Sequence, residues 1–305
     1  MLPAAALVDL VGRTRWAVCR FVALAVGYLG CESLGLAASF ALWLWLGPGR
    51  GRSPDRYLEA NFRLQLRWAR ALLTLARRCY GLRLELDLAE VGDRGVLVFS
   101  RHASLVDALL PTVLVSGHAG TRLRFILKRE LLLDPCMDVV GQRLPNVFVA
   151  RGTADAKLEA ESIRRLTRGL GARQGVVIFP EGTRFSEQRR AEAIERVRAS
   201  GDTARLSRVS GFRHVLPPRS RGTLALLDAA PHAGVLFLAH HGLESAGRLV
   251  SILRGGLIGR RLRVRSWLVP AHEVPRPHDA RLAWLDGEWA RIDAWLETCE
   301  RERLG

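Results

Sequence analysis

The chain has 305 residues, 49% of them hydrophobic, enough apolar material for one large domain or two small ones. Its 46 basic and 30 acidic residues leave a formal charge of +16, and every basic residue except Lys128 and Lys157 is arginine. Guanidinium forks suit phosphate, so nucleic acid, phospholipid headgroups or a phosphorylated substrate fit this charge, although a GC-rich genome would also enrich Arg, Ala, Leu and Gly. The five cysteines (Cys19, Cys31, Cys79, Cys136, Cys299) are scattered and contain no C-x-x-C, which argues against a disulfide framework or a structural metal and for reduced thiols in a cytosol-facing protein.

Phe21 to Gly47 is apolar apart from Glu32 and a few small polar residues. As one helix it measures roughly 40 Å, more than the ~30 Å of hydrocarbon in a bilayer. Its length, Glu32 and the lack of a clear small-residue cleavage site argue against a cleaved signal peptide. Arginines 13, 15 and 20 precede it and arginines 50, 52 and 56 follow it, so the positive-inside rule draws both ends to the cytoplasm. A single span and an interfacial or re-entrant hairpin folded near Gly30–Glu32 both remain open, with a buried core helix as the soluble alternative. From Asp55 to Tyr80, Leu58, Phe62, Leu66, Ala69, Leu73 and Ala76 recur at helical spacing, with Arg63, Arg67, Arg70, Arg77 and Arg78 largely between them. This segment is either a surface helix packed on the core or a basic amphipathic helix lying on anionic lipid.

After Gly81 strands and helices alternate. The strand candidates are Leu82–Leu88, Gly95–Phe99, Arg124–Leu127, Val147–Val149, Val176–Phe179, Val235–Ala239 and Leu262–Val269. The helix candidates are Ser104–Val115, Ala154–Leu170, Ser186–Ala199, Thr223–Ala229 and Asp279–Glu302. The expected fold is therefore α/β: a single catalytic domain with a mixed, largely helix-covered sheet, preceded by an N-terminal hydrophobic membrane helix or hairpin. The division falls between residues 1–80 and residues 81–305. Residues 186–215 form a charge-dense insertion whose composition suits a mobile segment, and the stripe Leu282, Leu285, Trp289, Ile292, Leu296 in the last helix reads as core.

Two stretches carry chemistry. In SRHASLVDALL (100–110) a histidine and an aspartate stand five positions apart at the end of the apolar run VLVF. Ser104-x-x-Asp107 fits a capping box in outline. Inside one helix, five residues turn about 500° and leave the two side chains ~140° apart, so His102 and Asp107 pair only if His102 lies in the strand-to-helix turn. Placed there, a neutral imidazole, with an ordinary pKa of about 6.5, accepts a hydroxyl proton near neutral pH while the carboxylate holds the other ring nitrogen as N–H. Taken alone, the spacing fits an ordinary structural histidine and a helix cap equally well. In VVIFPEGTR (176–184) a β-branched strand runs into Pro180-Glu181-Gly182-Thr183-Arg184. Gly182 permits close backbone approach, Thr183 offers a hydroxyl and Arg184 can fork onto a phosphate. An ordinary polar turn after a strand is the alternative.

Together these stretches resemble the glycerolipid acyltransferase superfamily, specifically the 1-acyl-sn-glycerol-3-phosphate acyltransferases. The family's histidine-x4-aspartate block is similar to His102–Asp107, and its F-P-E-G-T-R block to Phe179–Arg184. FILKREL (125–131) and VFVAR (147–151) resemble its lysine-containing segment and its arginine-ending block, in the same order. The resemblance covers roughly residues 80–240. Arg101 departs from the asparagine that often precedes the histidine, Ala150 from the acidic residue before Arg151, and Val215-Leu216-Pro217-Pro218 meets the proline-containing block only loosely. Phe185, the charged insertion and GFRHVLPPRSRG resemble a membrane-anchored branch that includes enzymes for other lysophospholipids.

The resemblance implies acyl transfer from a thioester, acyl-CoA or acyl-carrier protein, to the sn-2 hydroxyl of lysophosphatidate, yielding phosphatidate for phospholipid synthesis. His102 is then the general base and Asp107 its support. Arg151, Glu181, Gly182, Thr183 and Arg184 form the acceptor site, with Lys128 as an added point charge. No metal or organic cofactor is implied. The chain holds no G-x-S-x-G elbow and no cysteine beside a recognisable partner, so direct transfer without an acyl-enzyme is expected, with Ser104 the lesser nucleophile option. The implied location is a membrane, the bacterial inner membrane with the catalytic domain facing the cytoplasm. Acylation of another lysophospholipid is the enzymatic alternative. A basic membrane-peripheral or nucleic-acid-binding protein is the non-enzymatic one, but no strand interleaves aromatic with basic residues, so nucleic acid is not an expected partner.

Overall fold

The computed structural model describes residues 4, 6, 7, 16–47, 53–104, 106–149 and 156–304. One mixed sheet organises them. Its strands are β1 (Arg83–Asp87), β2 (Val96–Ser100), β3 (Arg122–Lys128), β4 (Val147–Val149), β5 (Gln174–Ile178), β6 (Gly234–His241) and β7 (Arg261–Val269), in the order β1-β7-β6-β2-β5-β3-β4. The run from β6 to β4 is parallel, β7 lies antiparallel to β6, and β1 runs parallel to β7. Each expected strand is present. β6 continues two residues past its expected end, which brings His240 and His241 into the sheet.

Side chains alternate across each strand, so β2 feeds two cores at once. Leu97 and Phe99 meet one side, with Leu166, Leu226, Trp289 and Ile292. Val96 and Val98 meet the other, with Tyr80, Leu110, Leu123 and Leu238. The first side is covered by α3 (Ala156–Thr167), α6 (Ser220–Ala229) and α7 (His278–Leu304), where the expected Trp289 stripe is indeed core. With both faces covered, the open place for a ligand is the edge where the parallel strands end.

Two long helices precede the sheet. α1 (Ala17–Leu46) is one unbroken helix of 30 residues, about 45 Å long, and is apolar enough to cross a membrane. The chain passes Gly30–Glu32 in helical geometry, so a hairpin folded there does not form. α2 (Pro54–Tyr80) starts with Pro54 at its first turn and stops at Gly81, whose φ of +66° closes the helix in the left-handed region. The helices lie antiparallel and close together. A Cβ on Gly27 would come within 2.6 Å of the Leu75 side chain.

Polar bonds fasten α1 along its length. Arg20 donates to the Cys79 carbonyl, Trp68 Nε1 donates to Glu32 Oε1 at 2.8 Å, and the Cys136 amide donates to Glu32 Oε2 at 3.0 Å. Tyr28 donates to Asp134 and Arg143 to Ser39. The outward side presents Val26, Leu29, Leu34, Phe40, Trp43 and Trp45. On α2 the buried line is Asn61, Gln65, Ala69, Leu73, Ala76 and Tyr80, while Arg63, Arg67, Arg70, Arg77 and Arg78 are exposed. One side of α2 is thus packed on the core and its arginines face outward.

The charge-dense insertion is folded. Ser186 caps α4 (Glu187–Ala199) and Asp202 caps α5 (Thr203–Val209), each side chain accepting from a backbone amide three residues on. Ala193, Ile194, Val197, Val209, Phe212 and Val215 are buried beneath the charges. Asp286, also buried, receives Arg205 and Arg208, and Asp293 accepts from the amides of Arg213 and His214. These contacts fix as packed structure a segment whose composition alone suits mobility.

Candidate active site

β2 ends at Ser100 and helical backbone begins at Leu109, five residues later than the sequence predicts. Local side-chain bonds explain the delay. Ser104 Oγ accepts from the amides of Val106 and Asp107, at 3.1 and 3.0 Å. Asp107 Oδ2 accepts from the amides of Ala103 and Ser104, at 2.6 and 2.7 Å. The other carboxylate oxygen, Oδ1, stands 3.1 Å from His102 Nδ1. Asp107 is thus both a cap and the partner of His102. Ser104 is fully buried with its hydroxyl oxygen engaged by two amides.

Burial pushes the Asp107 carboxyl up, but bonds from His102 and His240 outweigh it and hold the group well below the usual carboxylate range. An ionised carboxylate only accepts, so His102 Nδ1 carries the hydrogen and Nε2 is left with its lone pair. Among the described residues Nε2 has no hydrogen-bond partner, and the side chain is 17% exposed. That nitrogen is available to a ligand.

The second motif lies against the first because β5 and β2 are neighbours, with Phe99 opposite Ile178. The Phe179 ring packs on the imidazole with centroids 4.7 Å apart. Glu181 Oε1 accepts from the His102 amide at 3.0 Å, and the Phe185 amide donates to the His102 carbonyl at 2.8 Å. His102 is therefore held at both backbone polar groups and on one ring face. The other Glu181 oxygen accepts from the Leu216 amide at 3.0 Å. Burial pushes the Glu181 carboxyl up to about 7, against the opposing pull of Arg101 and the two amides.

Gly182 has a φ of +67°, and a Cβ there would come 2.5 Å from Arg219 Nε. The left-handed backbone there favours glycine. Thr183 and Arg184 are half-buried, and Arg184 donates to the Gly247 carbonyl at 2.8 Å. Lys128 closes β3 at the same sheet edge, opposite Val149 of β4. Arg151 lies outside the described residues.

Four residues here were not candidates from the sequence. Arg101 is buried and donates to the His240 carbonyl, to Glu244 and to the His214 carbonyl. Glu244 is drawn down to about 2, as Arg101 outweighs the effect of burial. Arg219 is exposed over the F-P-E-G-T-R turn, with its amide bonded to the Pro180 carbonyl. His240 is fully buried, with Nε2 at 3.4 Å from Asp107 Oδ2. The sequence offered one signal for Arg219, its place directly after Pro217-Pro218. None marked His240.

Chemically, the arrangement offers a partly exposed imidazole oriented by a carboxylate, beside a turn with guanidinium groups. Residues 83–219 match the family model described as Acyltransferase. A comparison with curated proteins gave no match. The family match supports the glycerolipid acyltransferase superfamily and a general acyltransferase function.

Proposed function

We propose that this protein is a membrane-bound O-acyltransferase that moves a fatty acyl group from a thioester donor, acyl-CoA or acyl-carrier protein, to the sn-2 hydroxyl of lysophosphatidate. The observation that carries the reading is the Nδ1–Asp107 pair of His102, with Nε2 open beside the Phe179–Phe185 turn. His102 Nε2 takes the hydroxyl proton as the alcohol oxygen attacks the thioester carbonyl carbon. The tetrahedral adduct then collapses, the C–S bond breaks, and the leaving thiolate takes the proton from the imidazolium. Asp107 keeps the ring in the required tautomer and balances its transient charge.

Arg184, Arg151 and Lys128 supply positive charge for the glycerol phosphate, and exposed Arg219 joins them. Thr183 offers a hydroxyl at the same turn, and Gly182 lets the chain pass closely beneath the ligand. Glu181 contributes by holding the His102 amide, since both of its oxygens are already engaged. Residues 1–80 serve as the membrane-attached part and 81–305 as the catalytic part, at the bacterial inner membrane with the site on the cytoplasmic side. The outward apolar side of α1 and the exposed arginines of α2 suit attachment to anionic lipid.

The test offers the reconstituted protein a panel of lysolipids with both thioester donors and identifies products by mass spectrometry. Phosphatidate formed by the wild type and lost in a folded His102→Ala variant is the expected result. Near-normal turnover by that variant overturns the general-base role, and exclusive acylation of another lysophospholipid overturns the acceptor.

A further inference from the structure

Asp107 faces two histidines, and only one of them reaches solvent. His240 comes from β6, outside the matched segment, and its side chain is fully buried. Its Nε2 stands 3.3 Å from the Arg101 carbonyl and 3.4 Å from Asp107 Oδ2. Both neighbours accept, so Nε2 carries the hydrogen, which bonds the Arg101 carbonyl and lies within ion-pair reach of the Asp107 carboxylate. The other nitrogen, Nδ1, is buried without a partner. The Arg101 guanidinium is bonded to the His240 carbonyl. Other ionisable groups close to this cluster are Glu181, Glu244 and His241, which follows His240 on β6.

We propose that His240 is a positioning residue for the His102–Asp107 pair. Its single N–H ties the carbonyl immediately before His102 to the carboxylate five residues later, fixing the distance across which the two side chains meet. Leucine or phenylalanine would fill the space without leaving a ring nitrogen unpaired. A histidine that carries an orphaned nitrogen into the core therefore points to a job for the other nitrogen. The inference rests on the general-base reading of His102.

The experiment compares His240→Gln, His240→Asn and His240→Phe in the full-length lipid-reconstituted protein. A glutamine amide reaches the place of Nε2, an asparagine amide reaches only the place of Nδ1, and phenylalanine keeps the ring alone. The expected result is that Gln retains kcat within about threefold, while Asn and Phe lose at least about tenfold with acceptor KM within about twofold. A role in packing alone would instead rank the variants by size and apolarity. Equal losses in Gln and Asn, or a folded Phe variant with wild-type kcat, overturn the proposal. Nitrogen-15 imidazole spectra of the unmutated protein give a second reading that needs no variant to fold: His240 as the Nε2–H tautomer is required, and the Nδ1–H tautomer overturns the proposal. The His102→Ala control separates the failures. Turnover there sinks the general base itself, whereas an inactive His102→Ala beside a fully active His240→Phe sinks only His240.

Discussion

Replacing Asp107 with asparagine changes one atom, and the surrounding amides dictate which one. Oδ2 accepts from two backbone N–H groups at 2.6 and 2.7 Å and faces His240 Nε2 as well. The asparagine oxygen must take that position, because the NH2 group there would face three donors. The NH2 group is then left opposite His102 Nδ1, which can meet it only as an acceptor. His102 moves its hydrogen to Nε2, and the lone pair needed for proton abstraction is lost. Restoring the working tautomer means turning the amide over and leaving two buried N–H groups unpaired, at about 1–3 kcal/mol each. The sum, about 2–6 kcal/mol, corresponds to a loss of about 30-fold to about 3 × 10⁴-fold in kcat. Thiol release from the acyl donor, followed continuously at saturating acceptor, measures it, with a thermal melt to verify the fold. A folded variant that loses less than tenfold refutes the tautomer argument and leaves Asp107 as a cap alone.

Arg184→Gln is expected to raise acceptor KM by about tenfold or more with kcat nearly kept, because a charge-assisted contact to phosphate contributes about 1.5–3 kcal/mol. Unchanged affinity for the acceptor would move the phosphate site away from this turn. Stability should also respond to pH through Glu181. Its carboxyl sits at about 7 in the fold against 4.5 as the ordinary value, so between these values the folded protein keeps a proton that the unfolded chain has released. Stability therefore falls as pH rises through that window, by about 3 kcal/mol in all, and no further above it. Denaturant titrations at pH 5 and pH 8 measure the difference, and Glu181→Gln should flatten it; an identical slope in the variant speaks against this assignment. Asp107 and Glu244, both held low, act with the opposite sign and only in acid, where their protonation removes stability as pH falls.

The strands were legible because VLVF is buried on both faces, VVIF is buried at Val176 and Val177 and half-buried beyond, and both read as unbroken apolar runs. The two motifs met because both runs end at the same edge of one sheet. Less visible was the start of the helix after β2. Ser104 and Asp107 are cap residues to a sequence reader, but here they engage the amides so fully that the chain turns for several more residues. The reach of Glu181 to the His102 amide and of His240 to Asp107 escaped notice for a different reason. Each joins residues 79 or more positions apart through strand neighbours, and no local spacing encodes strand order. The insertion misled by composition: arginines and glutamates dominate it, while the six apolar residues that anchor it are spread over 23 positions.

The bonds from Glu32, Tyr28 and Ser39 have a consequence for how α1 can be treated. A tether could be cut away to leave a domain that dissolves in water, but this helix is a wall of the molecule. Removal at Gly47 would leave Trp68 Nε1 and the Cys136 amide without their carboxylate and bare the flank of α2 along Leu75. The same bonds tie the helix that exposes Val26, Leu29 and Phe40 to the body that carries His102.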